Sequence, residues 1–331
     1  MANLLITDRC NRRCSFCFAQ SRVGQKERGK QSSNMSRENI RKVMKFMMNS
    51  GERQLRLLGG EPTLHPEFIE IVEEALDEGF SVHVFTNGIM KKEIADFLRR
   101  IPDNKISMLC NVSPQANDSD RKIAMRNYAL HRLGKVVQVG ITLTSPQFEY
   151  NYLIDYIKRY KLKKRIRIGI AQPIVGKENE FLKPSEYRET GKAIIQMVKE
   201  CIKEDILVGF DCGLTLCMFD EEEIGILMKC SEGFVMNCNP ILDIGKELDI
   251  WHCFPLSEVL VSQLDYFQNR NDAVRFYKDL IKPYRALGCM PECIRCDFLR
   301  RGQCSGGCLA HAINSLNRLP PQQARPEEKT I

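Results

Sequence analysis

Nowhere does the sequence approach the run of about 18 apolar residues that a membrane-spanning helix needs. Its first residues, MANLLITDRCNRRC, carry only a short apolar stretch before charge arrives. No secretory signal peptide is expected, and the chain is expected to stay in the cytoplasm. Internal repeats and low-complexity segments are absent. Histidine is scarce: the five are His65, His83, His131, His252 and His311, and none falls in a Ser–His or spaced His–His arrangement. Charge of one sign is also lacking. The 49 Lys and Arg against 42 Asp and Glu leave only +7, with basic residues spread among acidic ones. That balance argues against a nucleic-acid partner. Hydrophobic residues make up 43% and charged residues 27%, which excludes disorder over most of the 331 residues.

Cysteine is what the chain has in excess, with 15 residues. Without an export signal, disulfides explain them poorly, because the cytosol keeps thiols reduced. Metal or iron–sulfur ligation is the better reading. The first group is Cys10-Asn-Arg-Arg-Cys14-Ser-Phe-Cys17. Three thiolates in one short loop can wrap three corners of a cubic iron–sulfur cluster and leave one iron open. A zinc site would want a fourth protein ligand, and no neighbouring His or Cys supplies it.

Up to about residue 210, β-rich runs alternate with helical patterns. Strands are expected at Asn3–Thr7, Gln54–Leu58, Ser81–Thr86, Lys105–Ser113, Val136–Thr144 and Arg165–Ala171. Ile40, Val43, Met44, Met47 and Met48 mark one apolar helix face, so those methionines belong to the core. Further helices are expected at Pro66–Glu78, Lys91–Arg100, Ser119–Leu133, Tyr152–Tyr160 and Ser185–Lys203. Six such units predict an α/β fold, a partial (β/α)6 TIM-like barrel with ligands at the C-terminal ends of its strands. The barrel is expected over residues 1–206, a cysteine-rich auxiliary domain over 207–315 and a disordered tail over 316–331.

The Cys10–Cys17 loop follows the first strand, has an aromatic residue, Phe16, before its last cysteine, and resembles the CxxxCxxC signature of the radical SAM superfamily. Gly59-Gly60-Glu61-Pro62, after the second strand, is similar to that family's GGEP motif. Thr86-Asn87-Gly88, after the third, is similar to its TNG turn. The resemblance covers roughly residues 3–175. It implies a 4Fe–4S cluster on Cys10, Cys14 and Cys17. S-adenosylmethionine (SAM) would then be chelated at the open iron and cleaved by one electron to a 5′-deoxyadenosyl radical. It further implies that the GGEP segment binds the SAM amino group, with Thr86, Asn87 and Ser113 as other contacts. Thr142, Thr144 and the segment from Ile168 to Gln172 would line its ribose and adenine.

Beyond the barrel come Cys212, Cys217, Cys230, Cys238 and Cys253, then Cys289, Cys293, Cys296, Cys304 and Cys308. This pattern resembles the SPASM or twitch extension of radical SAM enzymes, which implies one or two auxiliary 4Fe–4S clusters. No cysteine follows Cys308, where a full SPASM pattern has one more. Two partitions remain open. Cys212, Cys217, Cys238 and Cys253 can stand against Cys293, Cys296, Cys304 and Cys308, or Cys308 can join the upstream group. Two zinc ribbons are the alternative on spacing alone. Cys110 and Cys201 read as buried structural thiols. His252 is a minor candidate ligand, and Asp211, at the end of a probable strand Ile206–Asp211, is a candidate general base.

The expected activity is hydrogen abstraction from a peptide or protein side chain, as in peptide maturases and sulfatase-maturing enzymes, with a flavodoxin- or ferredoxin-type reductant. A radical SAM dehydrogenase or epimerase of a small molecule is the alternative. A non-catalytic iron–sulfur or zinc protein is the reading from another class. Residue 10 already opens the cluster loop, so no leader-binding domain is expected ahead of it.

Overall fold

The computed structural model describes residues 2–23, 33–116, 118–231, 234, 236, 238, 241–316 and 318–326. Ten strands form one sheet: β1 (Ala2–Leu5), β2 (Gln54–Leu58), β3 (Ser81–Thr86), β4 (Ile106–Asn111), β5 (Val137–Leu143), β6 (Arg165–Ile170), β7 (Leu207–Phe210), β8 (Leu242–Ile244), β9 (Asp249–Trp251) and β10 (Ser262–Gln263). The order is β10-β9-β8-β1-β2-β3-β4-β5-β6-β7. The first seven strands run parallel to their neighbours. Helices α1 (Arg37–Met48), α2 (Phe68–Asp77), α3 (Lys92–Arg100), α4 (Asp120–Leu133), α5 (Asn151–Tyr160) and α6 (Tyr187–Lys203) connect these seven in turn. This is the partial barrel expected from the alternation of strands and helices.

The local chemistry explains the elements. Ser36 caps α1 by accepting a hydrogen bond from the Asn39 amide at 3.2 Å. The α1 face that packs on the sheet buries Ile40, Val43, Met44, Phe46 and Met47. Along β3, Val82, Val84 and Thr86 are buried while His83 and Phe85 are less so, the alternation of a half-buried strand. The buried set packs under the helices and forms the main core. Each fully buried Val or Leu there contributes about 1.5–3 kcal/mol. Strand register places Arg56, His83 and Ser107 side by side on the other face.

Two expectations about organisation change. The boundary at 206/207 would cut β6 from β7, yet Arg165 to Ile168 pair in parallel with Leu207 to Phe210. The barrel sheet therefore runs through β7. The tail is also ordered where it is described. Leu260 and Val261 donate to the carbonyls of Pro321 and Gln322, Ala324 donates back to Val261, and Ala324 is buried. Residues 317 and 327–331 lie outside the described residues.

Beyond β7 come α7 (Glu221–Cys230), the three short strands, α8 (Arg270–Ile281), α9 (Asp297–Arg300) and α10 (Leu309–Asn314). β8 pairs in parallel with β1, and β9 and β10 follow antiparallel, so the cysteine-rich part continues the barrel's own sheet. Among the described residues, no helix is long and apolar enough to cross a membrane.

Candidate cofactor site

The loop after β1 is strapped to the end of β2 by backbone. The Gly60 amide donates to the Thr7 carbonyl at 2.9 Å, and the Glu61 amide to Arg9 at 2.8 Å. Gly60 is so close to the loop that an added Cβ would lie 2.7 Å from the Arg9 carbonyl carbon and 2.8 Å from the Cys10 Cβ. The glycines were expected to admit a ligand. What approaches them is the cluster loop itself, through Thr7 at Gly59 and Arg9 at Gly60.

Glu61 is fully buried and its side chain turns inward. It accepts from the Thr63 hydroxyl at 2.7 Å, the Thr86 hydroxyl at 2.8 Å, the Asn87 amide at 2.8 Å and the Thr63 amide at 3.3 Å. Burial pushes its carboxyl up in pKa, against the pull of those donors. The Glu61 carboxylate and the Thr86 hydroxyl couple the ends of β2 and β3. Pro62, also expected at the site, is buried in the turn that follows. Asn87 extends the coupling: its Nδ2 donates to Asn11 Oδ1 at 2.8 Å, and Asn11 donates to the Ile89 carbonyl at 2.7 Å.

A charged anchor that pattern reading missed holds the same loop. Arg12, between Cys10 and Cys14, donates to Asp118 through Nε at 3.1 Å and through Nη2. Arg126 of α4 joins at 3.2 Å, and all three side chains are almost fully buried. Asp118 lies far along the sequence beside the Ser119 cap of α4, so only the fold brings them together. Burial alone would raise the Asp118 carboxyl, but the two guanidiniums outweigh it and hold it low.

Cys10, Cys14 and Cys17 are partly exposed free thiols. Burial pushes all three up, Cys17 to about 11. Beside them opens a cavity of about 600 Å³ touched by Arg13, Ser15 and Phe16 from the loop and by Ser113, Thr142 and Thr144 from the ends of β4 and β5. Ser113 Oγ accepts from the Thr142 amide at 2.9 Å, and Thr142 Oγ1 accepts from Asn111 at 2.8 Å, which fixes both side chains. The segment from Ile168 to Gln172 divides. Ile168 and Ile170 sit in the core, while Gln172 buries an amide with neither atom paired. Asp211 is bound by Arg167 Nε at 2.6 Å, so it forms an ion pair and does not stand as an unengaged base.

The remaining cysteines fall into two sets. Cys212 and Cys238 are hydrogen-bonded, and Cys238 lies within electrostatic reach of Cys253 and Cys308. Around this set are unpaired buried polar atoms: both ring nitrogens of His252 and the Nη1 donor of Arg285. Cys217, Cys289, Cys293 and Cys304 are the second set. Cys230 ends α7 and packs against the core. Cys110 and Cys201 are buried thiols, as expected, raised by burial to about 12 and about 11. Among the described residues, no three His, Cys, Asp or Glu side chains converge as a single metal ion requires.

Three thiols on the loop after the first strand of a parallel partial barrel, beside a cavity at the strand ends, define a radical SAM protein. The radical SAM superfamily model matches residues 4–169, half of the chain, and the chain belongs to that superfamily. Its cofactors are a 4Fe–4S cluster and S-adenosylmethionine.

Among curated relatives, a probable GTP 3′,8-cyclase of Methanococcus maripaludis is 35% identical over 141 residues, 42% of this chain and 46% of that protein. The GTP 3′,8-cyclase of Clostridium botulinum is 22% identical over 282 residues, 78% of this chain and 86% of that protein. The chain spans about half the length of the first of these relatives. Among solved structures, Streptococcus suis SuiB bound to S-adenosylmethionine superposes with a TM-score of 0.65 at 17% identity, covering 98% of this chain and 76% of that one. The anSMEcpe structure with bound AdoMet gives 0.64 at 19%, covering 97% and 93%. At such identities these likenesses speak for the fold alone. The relatives are named for a small-molecule substrate, GTP, and this overturns the expectation of a peptide or protein side chain.

Proposed function

We propose that this chain is a radical SAM enzyme that abstracts a hydrogen atom from a small molecule, with a purine nucleotide as the first candidate. The observation that carries the reading is the placement of the three-thiol loop against a cavity of about 600 Å³ at the ends of β4 and β5. The GTP 3′,8-cyclase relatives support a small substrate. When bound, the reduced cluster supplies the electron that splits SAM into methionine and a 5′-deoxyadenosyl radical.

The protein's own residues position and exclude. Cys10, Cys14 and Cys17 hold the cluster by three corners. The Gly59–Gly60 backbone and the buried Glu61 fix the loop, and Thr86 and Asn87 brace it. Ser113, Thr142 and Thr144 line the side where SAM is expected. Phe16 lines the cavity beside the loop, where its ring would help to exclude water. Cys212, Cys238, Cys253 and Cys308 are assigned to an auxiliary cluster, the partition in which Cys308 joins the upstream group. A flavodoxin- or ferredoxin-type donor supplies the electron.

The test is anaerobic turnover with dithionite. 5′-Deoxyadenosine is measured with GTP, with GTP deuterated at C3′, and with a panel of polyols as substrates of a dehydrogenase or epimerase. Deuterium carried into 5′-deoxyadenosine is the expected result. No 5′-deoxyadenosine under any condition overturns the SAM chemistry. A yield unchanged by GTP and by every polyol overturns the small-molecule substrate.

A further inference from the structure

The second set of thiols gathers around three glycines. Gly288 packs against Cys293, whose Sγ would lie 2.6 Å from a Cβ added there. A Cβ on Gly307 would lie 2.7 Å from Cys289 Sγ and 3.2 Å from Thr215 Cγ2. Thr215 Oγ1 is 3.1 Å from Cys217 Sγ. The Gly306 amide donates to Cys304 Sγ at 3.4 Å, and the Cys289 amide donates to the Gly306 carbonyl at 2.7 Å. Thiols from three separate segments thus border one glycine patch, Cys217 through Thr215, with no side chain on those glycines to keep them apart. A cavity of about 590 Å³ opens onto Cys293 and Cys304 of this set and onto Cys238 of the other.

This arrangement differs from what spacing suggests. Cys293 and Cys296 stand as a CxxC pair, and Cys212 and Cys217 share a single loop. The fold sends Cys212 to one set and Cys217 to the other. Cys296 is instead the boundary residue between a short 3-10 turn and α9.

We propose that Cys217, Cys289, Cys293 and Cys304 are the ligands of a second auxiliary 4Fe–4S cluster, and that Cys296 is not a ligand. A fourth ligand drawn from the loop after β7 supplies what the missing cysteine beyond Cys308 would have given. The loop from Cys212 to Cys217 then ties both auxiliary clusters to the barrel. The inference rests on the reading of this chain as an iron–sulfur enzyme.

Differential alkylation of the full chain tests it. The protein is loaded under argon with ferrous iron and sulfide, treated with iodoacetamide and compared with the iron-free chain by peptide mass spectrometry. Cys217 is exposed and Cys296 partly so, and both should label without iron. On loading, Cys217 should become protected and Cys296 should stay reactive. Equal labelling of Cys217 in both states, or protection of Cys296, overturns the assignment.

Iron analysis gives an independent readout. Cys217→Ala should lose about four irons per chain, the content of one cluster. It should keep the SAM-induced change in the electron paramagnetic resonance of the N-terminal cluster, which reports a folded barrel. Cys296→Ala should keep the wild-type iron. A Cys217→Ala chain with wild-type iron overturns the inference. If wild-type protein still yields 5′-deoxyadenosine in that case, the failure belongs to the ligand assignment and not to the SAM chemistry.

Discussion

Gly60→Ala puts the smallest possible side chain at the contact that seats the cluster loop. The new methyl would lie 2.7 Å from the Arg9 carbonyl carbon and 2.8 Å from the Cys10 Cβ, well inside van der Waals contact. Both neighbours are tied in place, because the hydrogen bonds from Gly60 to Thr7 and from Glu61 to Arg9 hold the strap. Overpacking of this kind costs about 1–3 kcal/mol. If the loop lifts to relieve it, the two hydrogen bonds are lost instead, at about 1 kcal/mol each. Either way the cost is about 1–3 kcal/mol. At about 2–4 °C per kcal/mol, the melting temperature should fall by about 2–12 °C. The displaced atom carries Cys10, so iron on the N-terminal cluster should fall as well. Gly79→Ala is the control. Gly79 has φ +81° but nothing within 4 Å of an added Cβ, so the change costs only the left-handed strain, about 1–2 kcal/mol. Scanning calorimetry and iron per chain, measured anaerobically, separate the two. Wild-type melting and iron content in Gly60→Ala would refute the strap, as would equal iron loss in Gly79→Ala.

Cys14→Ala removes one of three cluster corners and should reduce 5′-deoxyadenosine formation to the level without enzyme, while the chain stays folded by circular dichroism. Asp118→Asn leaves Arg12 and Arg126 buried without their carboxylate and should cost about 3–5 kcal/mol in urea unfolding. Asp96→Asn, at a solvent-exposed pair with Arg132, should move the midpoint far less. His83 is half-buried beside Ser107, and burial, then Arg56, pushes its pKa down to about 3 from the usual 6.5. Its folded pKa is depressed, so the stability it contributes is present above pH 6.5 and lost as pH falls toward 3. The slope is at most about 1.4 kcal/mol per unit. His83→Gln should flatten the stability profile between pH 6.5 and 4, and an unchanged slope would refute the assignment.

What pattern could reveal and what it could not divide along sequence distance. β2 and β3 match their expected spans to the residue, because alternation and flanking turns are local signals. The cluster loop was legible for the same reason, since its three thiols lie within eight residues of one another. The role of Glu61 was not, because Thr86 and Asn87, at the end of β3, lie 25 and 26 positions away. Arg12 and Asp118 meet across 106 positions, and no periodicity records that. β8, β9 and β10 have three, three and two residues, too few for alternation to show. The partition of the C-terminal thiols depends on a loop that sends neighbouring cysteines to different sets, and spacing alone argues the opposite.

That C-terminal region is bound to the N-terminal loop more closely than a separate domain would be. β8 pairs with β1 in register from Ala2 and Leu242 to Leu4 and Ile244. Asn3 Nδ2 donates to Asp243 at 2.7 Å, across strands that lie 240 residues apart. Burial pushes the Asp243 carboxyl up to about 8, so at neutral pH the sheet carries largely a neutral pair there and avoids much of the cost of a buried charge. Arg22, downstream of Cys17, donates to Asp249 at 2.6 Å and to the Ser257 carbonyl. Its guanidinium also lies over Trp251 at 4.5 Å, a cation–π contact. Cys253 follows that tryptophan by two positions. Any shift of the β8–β9 hairpin must therefore move the segment carrying Cys253 and strain the anchor behind Cys17. The tail pairs with Leu260 and Val261, just ahead of β10, which in turn pairs with β9. The C-terminal part thus acts as the closing edge of the barrel as well as a carrier of thiols.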